Sequence, residues 1–223
     1  MSDSLSVLQE KIITHPYFQK TKTIIENNVC HENESVYDHS LATAKRADEC
    51  VTGAFVSNPK AKVLFNKWMQ EEPFGMQYKH IAVVIALLHD IGKILVYEEN
   101  SQQIPLNAIQ EDGKTRASGH EYWGSTIVPE ILCDVGLSAE LATYIANIVK
   151  LHGVLMMPHF VKTKTLEEYI SDMKTQGQGF EKEILFNIYA DTANCPIFKS
   201  WLETVIQIFN IETFYQKRNY VIA

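Results

Sequence analysis

Apolar residues along this chain recur mostly at helical spacing, and its β-branched apolar stretches are short and lie inside segments that read as buried helices. The pattern predicts an all-α protein with almost no sheet. A first helix covers Leu5 to Thr14, and a second starts after Pro16 and runs to about Asn28. A third runs from Ser35 to about Ala54, with the Ser57-Asn58-Pro59 turn behind it, and Lys60 to Gln70 forms a fourth.

The segment Tyr78 to Asp90 is apolar almost all round, as a central core helix must be, and Gly92 stops it. Tyr97 to Gly119 is polar, contains Pro105 and an Asp112-Gly113 turn signal, and reads as a loop hanging over a site. Helical pattern returns from His120 to Val135 and again after the N-cap Ser138, ending at Gly153 just beyond His152. A further short helix reaches about Lys174, Glu181 to Ala193 forms another, and Pro196 opens the last one or two. No repeat, low-complexity tract or linker divides the 223 residues, so one domain is expected.

Composition narrows the class. Hydrophobic residues at 46% and charged residues at 21% are ordinary for a folded globular chain. No apolar run approaches the roughly 20 residues that span a bilayer, and Met1 to Lys11 does not resemble a signal peptide, which together predict a cytoplasmic protein without membrane contact. Cys30, Cys50, Cys133 and Cys195 form no Cys-x-x-Cys pair, so reduced and mostly buried thiols are expected. A net charge of -7 argues against an extensive nucleic-acid surface. If a substrate carries phosphate, bound metal must supply much of the local positive charge. Trp68 and the amphipathic C-terminal helix are candidates for a homodimer contact, with core packing as the alternative.

The chemistry is announced by His89-Asp90. Two adjacent polar side chains terminate an apolar helix, where burial without a partner is costly. Imidazole nitrogen and carboxylate oxygen are both ligands for Mn, Fe, Co, Ni or Zn. His39, His120, His152 and Asp191 each lie on or at the end of a different predicted helix and are candidates to complete the shell. His15, His31, His80 and His159 fit no such pattern and read as surface or satisfied histidines.

The order His39, His89-Asp90, His120, His152, Asp191 resembles the HD-domain superfamily. Val36-Tyr37-Asp38-His39-Ser40 is similar to its opening helix, and Ala86-Leu87-Leu88-His89-Asp90-Ile91-Gly92-Lys93 to its central motif. Gly119-His120-Glu121 with Gly124, Val135-Gly136-Leu137-Ser138, the approach to His152, and Tyr189-Ala190-Asp191-Thr192 resemble the HD domain of bacterial tRNA nucleotidyltransferases. The stretch from His39 to His89 is longer than in that type, so substrate identity does not transfer.

The resemblance implies N-terminal helices over residues 1–34, an HD domain over 35–195, and C-terminal helices of the same domain over 196–223. It implies one or two divalent ions (Mn, Fe, Ni, Co, Mg or Zn) held by His39, His89, Asp90 and Asp191, with His120 and His152 serving a second ion or substrate. Asp90 would bridge two ions, and Lys93 would work beside it and contact a substrate phosphate. Arg116 and Lys114, in the polar loop, are candidates to close over an anionic substrate. The activity implied is hydrolysis of a small phosphorylated substrate such as a nucleotide or cyclic nucleotide. A di-iron oxygenase uses a similar ligand set. A non-catalytic helical module binding metal or nucleotide is a third reading, which a missing ligand would favour, and none is missing.

Overall fold

The computed structural model describes residues 5–98, 117–155 and 165–215. The fold is helical, as the periodicity predicts: α1 (Leu5–Thr14), α2 (Pro16–Lys20), α3 (Val36–Cys50), α4 (Pro59–Gln70), α5 (Tyr78–Leu88), α6 (Lys93–Glu98), α7 (His120–Asp134), α8 (Ala139–Leu151), α9 (Leu166–Gln176), α10 (Glu181–Thr192) and α11 (Lys199–Phe209). Local chemistry sets the starts. Ser35 accepts a bond from the Asp38 amide, Asn58 from Lys60 and Ala61, and Ser138 from Leu141, while Thr165 and Glu168 close a reciprocal capping box.

One expectation fails between Pro16 and Asn28. Helix α2 stops at Lys20, a short 3-10 turn follows, and β1 (Ile25–Asn27) pairs antiparallel with β2 (Glu32–Ser35). The reason is in the residues. Thr21, Thr23, Ile24 and Ile25 are β-branched, which favours extended backbone. The Asn28 side chain accepts bonds from the amides of Cys30 and His31, closing the turn.

Helix α5 is the spine. Seven of its residues, Ile81, Val83, Val84, Ile85, Ala86, Leu87 and Leu88, are buried, and each large one contributes about 1.5–3 kcal/mol by leaving water. It packs against α3, α4, α8 and α10, while α7 pairs with α8. Behind it Phe55, Phe65, Trp68, Phe186 and Phe209 form an aromatic cluster. Trp68 is 4% exposed and belongs to this core rather than to a free surface. No helix among the described residues is long and apolar enough to cross a membrane.

The cysteines depart from the sequence reading. Cys30 and Cys195 form a disulfide, Cys50 is half-buried and Cys133 exposed. The hairpin turn and the segment after α10 meet although 165 residues separate them, a proximity that spacing along the chain could not reveal.

Candidate metal centre

His89 caps the C-terminal end of α5, and Asp90 follows it into a tight turn. Both are buried, at 1% and 3% exposure. Helix α3 brings His39, α10 brings Asp191, the N-terminus of α7 brings His120, and the C-cap of α8 brings His152. All six predicted metal residues meet at one centre.

They fall into two sets. Ligand atoms of His39, His89 and Asp191 lie within 4.8 Å of one another, and so do those of Asp90, His120 and His152. Asp191 Oδ1 is 2.8 Å from His39 Nε2 and 3.5 Å from His89 Nε2. Asp90 stands between the sets. Its Oδ2 is 3.2 Å from His89 Nε2 and 3.5 Å from His39 Nε2, while its Oδ1 is 3.0 Å from His120 Nε2 and 4.0 Å from His152 Nε2.

Tautomers decide what such a centre wants. The Nδ1 atoms of His89, His120 and His152 lie 2.8, 2.7 and 2.6 Å from the carbonyl oxygens of Ala86, Ala117 and Val149. A carbonyl only accepts, so each Nδ1 carries the proton, and in the neutral ring Nε2 presents a lone pair. His120 Nε2 and His152 Nε2 then face each other at 3.1 Å beside Asp90 Oδ1. The buried Nε2 atoms of His39 and His89 make no well-aligned hydrogen bond among the described residues, although carboxylate oxygens of Asp191 and Asp90 lie 2.8 and 3.2 Å away. Lone pairs and carboxylates converging in a buried space could hold a cation, and the donor set of imidazole and carboxylate suits a divalent transition metal.

A family model for the HD domain matches residues 36–172. The chain belongs to the HD-domain family. That family is one of metal-dependent phosphohydrolases whose domains bind divalent ions. The match covers His39, the His89-Asp90 pair, His120 and His152, whereas Asp191 lies beyond it and is placed by geometry. It does not single out the tRNA nucleotidyltransferase type of HD domain. No curated protein matches the chain.

The carboxylates and imidazoles of this centre shift one another strongly. Burial would depress His89, but the charges of Asp90 and Asp191 outweigh it and raise its pKa to about 10. Burial, joined by neighbouring His120 and His89, lowers His152 to about 4. Asp90 and Asp191 are held well below the usual carboxylate range, because nearby charge, led in each case by His89, overcomes burial.

The structure also gives Lys93 its partners and adds residues that the sequence pattern did not single out. Lys93, expected beside a substrate phosphate, lines the cavity over the centre but has its Nζ 2.7 Å from Asp90 Oδ2 and 2.6 Å from Glu26 Oε2. Its ammonium holds Asp90 in place, and Glu26, on β1, completes the pair. His31 is a satisfied histidine rather than a surface one, and it stands beside the centre: its Nδ1 lies 2.8 Å from Glu34 Oε2, and its ring meets His39 edge-on at 4.3 Å. Arg46 donates Nε to Ala190 O at 2.6 Å and Nη2 to Asp191 O at 3.3 Å, neutralising carbonyls at the end of α10 and fixing the turn that carries Asp191. Arg116 and Lys114 lie outside the described residues, as does His159.

Proposed function

We propose that the protein is a two-metal phosphohydrolase that cleaves a small phosphate ester, with a nucleotide or cyclic nucleotide as the favoured substrate. The observation that carries this reading is the split of the Asp90 carboxylate, with one oxygen turned to His39 and His89 and the other to His120 and His152. Asp90 would thus be a ligand common to both sets. Ions held there would supply the positive charge that lowers the pKa of a water toward about 7 and offsets charge on a phosphoryl oxygen.

The chain's own residues do the rest. Lys93 and Glu26 fix the orientation of Asp90, and Arg46 fixes Asp191. Arg46 also lines the cavity, which measures about 860 Å³. Its planar guanidinium, already immobilised by three bonds to Ala190, Asp191 and Thr43, is a ready partner for a phosphate oxygen. Val29 and Ile197, 57% and 49% exposed, stand in the cavity wall and suit the flat apolar face of a nucleoside.

The test is phosphate release from an aryl phosphodiester and an aryl phosphomonoester with Mn, Ni, Co or Mg added, followed by a nucleotide panel. Metal-stimulated release that disappears in Asp90→Asn supports the reading. Two irons per chain, with oxygen consumption and no phosphate release, would replace it with a di-iron oxygenase, which the same six ligands would serve.

A further inference from the structure

Three of the four histidines in the centre orient their rings in one way. His89, His120 and His152 sit at helix ends and give their Nδ1 protons to a main-chain carbonyl three residues back. His39 cannot copy them. It is the fourth residue of α3, counting from Val36, and the carbonyl three residues back belongs to the running helix. Its Nδ1 faces instead a carboxylate from outside the helix, Glu34 Oε2 at 3.6 Å, carried by β2.

We propose that Glu34 is the positioning residue for His39: its carboxylate accepts the Nδ1 proton and so leaves the Nε2 lone pair facing the space that His39 shares with His89, Asp90 and Asp191. The inference rests on the metal-centre reading. A carboxylate behind a ligating imidazole fixes its tautomer and raises its basicity. At 3.6 Å the contact is longer than a hydrogen bond, so Glu34 would have to approach by about 0.5 Å to accept the Nδ1 proton fully.

The hairpin is built to hold Glu34 there. His31 bonds Glu34 Oε2 at 2.8 Å and packs its ring against His39. Asn28 closes the turn that presents His31, and the Cys30–Cys195 disulfide ties that turn to the segment just after α10. The irregular pairing in this hairpin, with Asn33 at φ 53°, falls directly before Glu34.

His31, Glu34 and His39 also lie close enough to hold an ion of their own. The geometry favours positioning, because an ion on His39 Nδ1 in addition to one on Nε2 would require the ring to lose both protons.

Cobalt(II) titration of the full-length chain, followed by its visible absorption, separates the cases for wild type, Glu34→Gln and Glu34→Ala. Glu34→Ala is expected to bind cobalt about 10- to 100-fold more weakly with unchanged stoichiometry and an altered spectrum. Glu34→Gln, whose amide oxygen still accepts from Nδ1, is expected to recover the spectrum and most of the affinity. Both metal-free variants should melt close to wild type, a result that a merely structural role would not give. Wild-type affinity and spectrum in Glu34→Ala overturns the proposal and leaves the metal centre standing, as does loss of one whole ion in both variants. A wild-type chain that binds no cobalt overturns the centre itself.

Discussion

Replacing Gly92 with alanine would place a methyl group 2.0 Å from the His120 carbonyl oxygen, 2.2 Å from the Gly124 nitrogen and 2.8 Å from the Gly124 Cα. All three are backbone atoms and cannot rotate away. Ordinary contact begins near 3.4 Å, so the turn after Asp90 and the first turn of α7 must separate by about 1 Å or more. The sequence reads Gly92 as a helix stop, but Gly92 is not among the glycines with positive φ. What the site demands is the missing side chain, which lets α7 approach closely enough to set His120 Nε2 at 3.0 Å from Asp90 Oδ1. Overpacking of this kind costs about 1–3 kcal/mol. For a chain of this size that is a fall in melting temperature of about 2–12 °C. The same 1 Å displacement acts on the ligands, so turnover should drop about 100-fold. Differential scanning fluorimetry and metal-stimulated phosphate release on Gly92→Ala provide the assay. A variant with wild-type melting temperature and turnover would refute the close-approach argument.

Four further outcomes are expected. Lys93→Met removes the ammonium shared by the buried carboxylates of Asp90 and Glu26, leaving Glu26 without its close cation, and should destabilise the metal-free protein by up to about 3–5 kcal/mol; adding Glu26→Gln should recover part of the loss in urea denaturation, and simple additivity would show that the two do not interact. Glu183 is buried, its Oε2 lacks a hydrogen-bond partner among the described residues, and burial raises its pKa. A raised carboxyl binds its proton more tightly folded than unfolded, so stability falls as pH climbs from about 4.5 toward the folded value. Glu183→Gln should therefore melt higher than wild type at pH 7.5 and alike at pH 4, and an equal advantage at both would contradict the assignment. Cys30→Ser opens a bond spanning 165 residues and should lower stability by about 2–4 kcal/mol, and a thiol count of four rather than two in the denatured, unreduced chain would contradict the pairing. Arg46→Lys keeps the charge but loses the planar fork on Ala190 and Asp191, so metal affinity should weaken measurably by calorimetry, and unchanged affinity would remove Arg46 from the support of Asp191.

The helices were legible because their apolar faces and caps agree. Ser35, Ser138 and the apolar run ending at His89 mark boundaries that the structure reproduces within a few residues. The six candidate ligands were legible for a related reason, since His39, His89, His120 and His152 lie on different helices and five of the six are in or beside a terminal turn. The hairpin was not. Its strands are three and four residues long, too short to register as alternation, and their role depends on contacts with α3 and α6 far along the chain. Arg46 left a signal that was not used: it lies seven residues, about two turns, after His39 on the same face of α3. Cys30 and Cys195 left none, because only the folded chain brings them together.

The most direct test of the account is metal stoichiometry in parallel with hydrolysis. Protein purified without chelator, reloaded with Mn or Co, should bind two ions per chain and release phosphate from an aryl phosphodiester or phosphomonoester. Asp90→Asn should lose both ions and all turnover together, because its two oxygens face both ligand sets. A wild-type chain that binds no divalent ion, or an Asp90→Asn variant that keeps two ions and full turnover, would contradict the central claim.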